Sequence, residues 1–199
     1  MTLGAAIAGR RGYFALSLAV LIADQASKVV ADALLRGRGP VPVIPGCFSL
    51  WYSRNRGGLF GYFAGWEDPW RTVLLTVFPL MAIAAIAVFL VRTDEPDRRT
   101  LAGLAAILGG ATGNLIDRAL RGEVVDFLDA YVSHPRAAQW LADRFGTAHW
   151  PTFNLADSAI VAGAGLLLLD LVRPERAAQA PDGGAPEPAP RASRPPGEE

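Results

Sequence analysis

The chain has 199 residues, of which 51% are hydrophobic and 19% are charged, and its 19 basic and 19 acidic residues give a formal net charge of zero. This length suits one domain, and the apolar excess with unevenly placed charges is typical of a membrane protein. No basic stripe of the kind found in nucleic-acid-binding proteins is visible. The single cysteine, Cys47, excludes an internal disulfide and a cysteine-built zinc site, and we expect no metal or cofactor.

The first predicted membrane span covers residues 12–35. It follows Arg10 and Arg11 and has the apolar core of a secretory signal, so a cleaved signal peptide is the alternative. The helical pattern nevertheless continues through Asp24 and Lys28. These residues are four apart, on one helix face, with the acid on the better, N-terminal side. Charges in a bilayer usually face a bundle interior, so a structural ion pair and a functional one are both open.

A β-rich segment is predicted at residues 40–66, where repeated glycine and proline exclude a long helix. Within it, residues 47–53 are aromatic and strand-like, which predicts a small β-structure lying on the membrane. Asn55 and Gly57 then begin a glycine-rich turn that lets backbone or ligand approach closely. An ordinary hairpin turn is the simpler alternative for this stretch.

Three more membrane spans are predicted, at residues 72–91, 100–117 and 153–172. The first of them has no charged residue and is long enough to cross a hydrocarbon core of about 30 Å, with a modest kink at Pro79. The second carries Gly109 and Gly113 in the register that lets membrane helices pack closely. Residues 173–199 contain too little apolar surface to bury, which predicts a disordered tail.

Four spans bring the polar residues to one membrane face, because each crossing reverses the side on which the chain emerges. Asp24 and Lys28 lie late in the first span, Asp117 and Asp126 follow the third, and Asp157 opens the fourth. The density of arginine at residues 92–99 and near both termini favours cytoplasmic termini, whereas the raw count of basic residues in the two long loops does not.

Two carboxylates predicted at this face, Asp126 and Asp157, indicate acid–base chemistry. Carboxylates held close cannot both ionise readily, so the pair shares a proton. One member can then take a proton from water while the other donates to a scissile carbonyl oxygen. Asn55, Asn114 and Asn154 offer amides that hold a peptide backbone without adding charge.

Other functions are compatible with parts of this pattern. Asp126 alone would be read as a solvated loop acid. A proton- or ion-coupled transporter would also use acids and a lysine in helices, although four spans without an internal repeat fit that class poorly. A non-catalytic scaffold explains the glycines and leaves the paired aspartates without a use. A thiol enzyme would need a histidine beside Cys47, and both histidines lie in a polar loop.

Five motifs, in order, resemble the lipoprotein signal peptidases, the type II signal peptidases of bacteria, across about residues 12–172. They are Asp24-Gln25-Ala26-Ser27-Lys28, Asn55-Arg56-Gly57-Gly58-Leu59-Phe60-Gly61, Gly109-Gly110-Ala111-Thr112-Gly113-Asn114-Leu115-Ile116-Asp117-Arg118, Val124-Val125-Asp126-Phe127 and Phe153-Asn154-Leu155-Ala156-Asp157-Ser158. One such motif would be weak, and five in order are highly specific.

The resemblance implies a membrane all-α bundle of four transmembrane helices with a small extracytoplasmic β-cradle and a short extracytoplasmic helix. It implies a monomeric aspartic endopeptidase of the bacterial inner membrane, with cytoplasmic termini and an extracytoplasmic active site. Such enzymes cut prolipoproteins just before a diacylglyceryl-modified cysteine and are inhibited by globomycin. On this pattern the roles are catalytic for Asp126 and Asp157, substrate-binding for Asn55, Gly57, Asn114, Arg118 and Asn154, and supporting for Asp24, Lys28 and Asp117.

Two features depart from the family pattern. The extracytoplasmic connection at residues 118–152 contains an apparent insertion at residues 133–149, where a helix is predicted at about Pro135 to Phe145. The tail at residues 173–199 is also unusual; it is expected to lie in the cytoplasm, and no function is assigned to it.

Overall fold

The structure is a computed structural model that describes residues 3–56, 70, 73–93 and 97–172. The glycine-rich turn that includes Gly57 and the predicted tail at residues 173–199 lie outside these described residues. The helices and strands of the described part, in chain order, are α1 (Leu3–Leu35), β1 (Val41–Ile44), β2 (Phe48–Asn55), α2 (Phe78–Arg92), α3 (Arg98–Arg121), β3 (Val124–Ala130), α4 (Pro135–Phe145) and α5 (Leu155–Leu171). The prediction of a helical protein with a small antiparallel sheet is therefore confirmed.

Two helices of the described residues are long and apolar enough to cross a membrane, at Gly9–Leu35 and Val73–Arg92. The second begins with a π-helical segment, Val73–Val77, and becomes α-helical directly before Pro79. Proline has no backbone N–H, and local π-helical adjustment is one way in which a membrane helix accommodates it. Neither α3, with charges at both ends, nor α5, with 17 residues, meets this standard of length and hydropathy. A total of four spans therefore stays a prediction.

Helix α3 is the central helix and packs against α1, α2 and α5. It extends beyond both ends of the span predicted at residues 100–117. At its start, the side chain of Asp97 accepts a hydrogen bond from the backbone N–H of Arg99. At its end, Gly122 adopts a left-handed conformation, with φ of 74°, that terminates the helix. The residues near both ends of α3 are charged, and hydropathy places charged residues outside a membrane span. The span predicted from hydropathy is therefore shorter than the helix.

Close helix packing around α3 depends on glycine. Gly109 and Gly113 both face α1, as their spacing predicts. On a neighbouring face of α3, Gly103 lies against Gly163 of α5. A Cβ atom at Gly103 would be 2.8 Å from the carbonyl oxygen of Gly163, and one at Gly163 would be 2.5 Å from that of Gly103. Side chains at these positions would force the two helices apart.

The three strands form an antiparallel sheet in the order β1-β2-β3. The aromatic strand predicted at residues 47–53 is present as β2, and in its pairing with β3 the partner of Ser53 is Asp126. The sheet contacts α1 and α3. Phe153, just before α5, also bridges Leu128 of β3. The end of α1, the end of α3 and the start of α5 therefore meet at one sheet.

Candidate active site

A buried lysine links α1 to α3 at this end of the bundle. Lys28 is fully buried, and its Nζ lies 2.9 Å from Oδ2 of Asp24 and 2.9 Å from Oδ2 of Asp117. It also donates to Oδ1 of Asn114 at 2.9 Å. A lysine ammonium has three N–H donors, so each of them has an acceptor. The three residues predicted to have supporting roles thus form one ionic group.

The two carboxylates of this group extend the connection to the neighbouring elements. Oδ1 of Asp24 accepts a hydrogen bond of 2.9 Å from the backbone N–H of Ala156, in the first turn of α5. Asp117 accepts a bond of 3.3 Å from the backbone N–H of Val125 in β3, and it is also paired with Arg121. A carboxylate at a helix N-terminus is favoured by the helix dipole. The polar group therefore holds α1, α3, β3 and α5 in one arrangement.

Asp126 and Asp157 are each held by amide donors. Asp126 lies in β3 and is buried, accepting from Nδ2 of Asn154 on Oδ1 at 2.7 Å and from Nδ2 of Asn55 on Oδ2 at 3.1 Å. Asp157 lies in the first turn of α5, where Oδ1 accepts from Nδ2 of Asn114 at 2.8 Å. The three predicted amide residues therefore contact the two predicted catalytic carboxylates directly.

Asn154 connects the two carboxylates. It is the N-cap of α5, with Oδ1 accepting from the backbone N–H of Asp157 at 2.9 Å, and its own backbone N–H donates to Oδ2 of Asp157 at 3.2 Å. This reciprocal capping box fixes the start of the helix. Its Nδ2 also donates to Asp126 and, at 3.1 Å, to Oδ1 of Asn114. One amide side chain thus fixes the position of both acids.

The environment of Asp126 raises its pKa to about 7. Removal of the carboxyl from water is the largest cause, followed by the nearby charge of Asp157. Hydrogen bonds from Asn55 and Asn154 and the charge of Lys28 act in the opposite direction. Because the resulting pKa lies near neutral pH, Asp126 is able both to hold and to release a proton under physiological conditions.

Both acids open onto a cavity of about 750 Å³. Asn55, Asn114 and Arg118 also line it, whereas the ionic group around Lys28 lies behind the acids. Most of its surface is apolar and comes from α2, α3, β3, α5 and the segment before α5, with side chains that include Pro79, Ala111, Val124, Trp150, Phe153, Ile160 and Val161. The cavity therefore combines a small polar end with a large apolar wall.

Comparison with known proteins assigns the chain to a family. The family described as signal peptidase (SPase) II matches residues 16–173. The chain belongs to the signal peptidase II family. A lipoprotein signal peptidase of Geobacter metallireducens is 40% identical over 78% of this chain and 87% of its own length. One from Solibacter usitatus is 46% identical over 68% of this chain and 75% of its own length.

Solved structures support the same fold. A bacterial membrane enzyme determined at 2.3 Å resolution aligns with a TM-score of 0.65 and 24% identity, covering 80% of this chain and 87% of the other. A second, at 1.9 Å, aligns with a TM-score of 0.66 and 23% identity over 81% and 93%.

Gln25 is a further polar residue at this candidate site, and its sequence position alone predicted no role for it. Its Nε2, which has two N–H donors, lies within hydrogen-bonding distance of three acceptors: Oδ2 of Asp24 at 3.1 Å, the carbonyl oxygen of Gly113 at 3.1 Å and Oδ1 of Asp117 at 3.3 Å. The signal available in the sequence was its position next to Asp24 inside the first motif. Gln25 adds a neutral connection between the two helices that Lys28 links by charge.

A second polar group, formed by Ser49, Asp129 and His149, was also missed. Oγ of Ser49 donates to Oδ2 of the buried Asp129 at 2.6 Å, and Nδ1 of His149 lies 2.9 Å from Oδ1 of Asp129. The ring of His149 stacks on Tyr131 with centroids 5.2 Å apart. These contacts join three distant parts of the sequence across the sheet. They attach the segment that leads to Trp150, and so to the cavity wall, to the β-structure.

Proposed function

We propose that this signal peptidase II family member is an intramembrane aspartic endopeptidase. It removes the signal peptide from diacylglyceryl-modified prolipoproteins by cleaving just before the lipid-modified cysteine. The observation that carries this proposal is the pair Asp126 and Asp157, joined through Asn154 at one cavity, with the pKa of Asp126 raised to about 7. A pair of carboxyls that shares one proton near neutral pH is what an aspartic peptidase requires.

The proposed reaction uses one acid and one base. Asp157 accepts a proton from a water molecule, whose oxygen attacks the scissile carbonyl carbon, while protonated Asp126 donates its proton to the carbonyl oxygen. The tetrahedral intermediate then breaks its C–N bond, and the leaving amine of the modified cysteine takes up the proton held by Asp157. Asp126 regains its proton from the hydroxyl of the intermediate as the new carboxyl group forms. Each carboxyl ends the cycle in its starting state.

The remaining site residues fit substrate binding. Asn55 and Asn114 line the cavity and offer amide groups to an extended peptide backbone, and Gly57 is proposed to act beside Asn55. Arg118 contributes a positive charge at the polar end. The apolar wall suits the signal peptide and the acyl chains of the modified cysteine, because such groups gain free energy by leaving water. Globomycin is expected to inhibit by occupying the two acids.

The proposed placement is the bacterial inner membrane, with four spans, cytoplasmic termini and a monomeric enzyme. Supporting it, the polar groups of α1, α3 and α5 meet at the end of the bundle that carries the sheet. The acids then lie at the extracytoplasmic surface, where prolipoproteins emerge. An ion transporter would instead place its acids near the middle of the bilayer.

The decisive experiment measures cleavage of a diacylglyceryl-modified prolipoprotein and of its unmodified form by the purified protein in lipid nanodiscs. Wild type, Asp126→Asn and Asp157→Asn are compared with and without globomycin. Cleavage only of the modified substrate, lost in both variants and with the inhibitor, is the expected result. Near-normal turnover by both variants would exclude the aspartic mechanism, and no cleavage by folded wild type would exclude the function.

A further inference from the structure

The connection between β3 and α5 leaves the sheet at residue 132 and returns to it at residue 148; these residues are called the excursion below. Tyr131 and His149 form a β-bridge, and the backbone N–H of Val132 donates to the carbonyl oxygen of Ala148 at 3.0 Å. The residues between these ends include α4, none of whose residues is buried. Helix α4 is therefore attached firmly at its base and is otherwise displayed at the surface.

The exposed face of α4 combines aromatic and basic side chains with one acidic side chain, that of Asp143. Arg136, Trp140 and Arg144 are spaced four apart and so lie along one face, and all three are exposed. Trp140 is 61% exposed and makes an edge-to-face contact with Phe145, which is 66% exposed, with ring centroids 6.2 Å apart. Ala138, on another face, is only partly exposed. Exposed tryptophan and phenylalanine beside arginine characterise helices that lie in a membrane interface.

The tryptophans indicate where that interface lies. All four tryptophans in the described part of the chain are at least 40% exposed, namely Trp51, Trp70, Trp140 and Trp150. Each lies in the connection between α1 and α2 or in that between α3 and α5, on the side of the bundle that carries the cavity. Tryptophan collects at the boundary between lipid and water. Trp150 lines the cavity and Trp140 lies on α4, so the cavity and α4 are on the same side of the bundle.

We propose that α4 docks on the headgroup layer of the bilayer, with anionic phospholipid as its partner. Arg136 and Arg144 pair with lipid phosphates, while Trp140 and Phe145 enter the boundary between headgroups and acyl chains. This inference rests on the proposed function, which places the cavity mouth at the same leaflet. His149 and Trp150 connect the base of the excursion to the cavity wall. Docking therefore holds that wall at the depth from which a lipid-modified cysteine arrives.

The test uses full-length protein in nanodiscs that each contain one copy. Exposed Cys47 is replaced by serine, and a fluorophore is attached at Ala137→Cys, beside the Arg136, Trp140 and Arg144 stripe, or at the matched control Ala138→Cys, which lies on the opposite, partly covered side of the helix. Lipids that carry a nitroxide near the headgroup then quench whichever fluorophore contacts them. Phosphatidylglycerol and phosphatidylcholine discs are compared.

We expect strong quenching at position 137 in phosphatidylglycerol and little at position 138. Arg136→Ser together with Arg144→Ser should lower the ratio of docked to undocked α4, obtained from the quenching, by about 30-fold. Each basic residue near an anionic surface contributes about 1 kcal/mol. Equal quenching at the two positions, or none at either, would overturn the proposal. Quenching that appears only after substrate is added would mean that substrate, and not lipid alone, positions α4, and would also overturn it. The same holds for quenching seen only in a second set of discs that hold two copies, because α4 would then contact the other copy. Cleavage is not needed for this readout, so the Asp157→Asn protein should give the same quenching even if the peptidase proposal fails.

Discussion

Replacement of Asp126 by asparagine is expected to abolish cleavage and to change stability in a direction that depends on pH. The folded-state pKa of Asp126 is about 7, against an ordinary value of 3.8. Because folding raises this pKa, the protonated carboxyl stabilises the folded state fully below about pH 4. That contribution is lost progressively as pH rises through about 7. At 1.36 kcal/mol for each pH unit, it amounts to about 4 kcal/mol.

The neutral amide of Asp126→Asn does not ionise, so the variant does not lose this stability as pH rises through about 7. The substitution also destabilises the folded state. Asn55 and Asn154 each donate a hydrogen bond to one oxygen of Asp126, and in the variant the new NH₂ group replaces one of these oxygens, so two donors face each other. An unsatisfied buried donor costs about 1–3 kcal/mol. We therefore expect the variant to be less stable than wild type by about 1–3 kcal/mol at pH 4, and more stable by a similar amount at pH 8.5.

The assay is chemical unfolding in detergent micelles, followed by tryptophan fluorescence at both pH values, with cleavage measured on the same preparations. Asp143→Asn is the control, because Asp143 is exposed on α4 and its replacement should change neither stability nor its pH dependence. Cleavage by Asp126→Asn should be lost in this assay, because removing acid–base catalysis alone lowers a rate by about 10²–10⁴-fold. A stability difference from wild type that keeps one sign and size at both pH values would refute the reasoning about the buried carboxyl.

Three further substitutions test the arrangement behind the acids. Lys28→Met leaves two buried carboxylates without their shared cation and should cost about 3–5 kcal/mol in unfolding experiments; a loss of less than 1 kcal/mol would contradict the role of the ionic group. Gly113→Ala places a methyl group against Asp24 and should lower both stability and cleavage, whereas Gly165→Ala, which meets nothing within 4 Å, should leave both unchanged. Asn154→Ala removes a helix cap and a donor to the catalytic pair, so we expect a stability loss of about 1 kcal/mol or more together with a large drop in kcat; unchanged kcat would exclude its positioning role.

The sequence predicted the parts of this molecule that depend on local pattern. Strand β2 and helix α4 were predicted from aromatic and helical patterns over a few residues, and both are present. The spacing of Gly109 and Gly113 correctly indicated a close helix contact. The count of membrane spans is different, because two of the described helices do not meet the length and hydropathy expected of a spanning helix.

Long-range contacts were less accessible from the sequence. The bond between Ser49 and Asp129 joins residues that are 80 apart, and it depends on the register in which β2 pairs with β3. That register includes an irregularity between Leu50 and Ser53, which no periodic pattern indicates. The central role of Asn154 likewise arises from a helix cap, a strand and a second helix that meet in space. Such contacts follow from tertiary packing, so the motifs could name the polar residues without giving their partners.

The charges behind the acids have a consequence for how the protein is made. Asp24 and Lys28 form an opposite-charge pair within α1, and Asp117 and Arg121 form another within α3, each pair with a spacing of four residues. Each of these two ion pairs can therefore form within its own helix before the helices meet, which lowers the cost of burying Asp24, Lys28 and Asp117. Assembly then allows Lys28 to bind Asp117 as well. The buried charges thus have partners within their own helices before α1 and α3 pack, and packing adds the ion pair that joins the two helices.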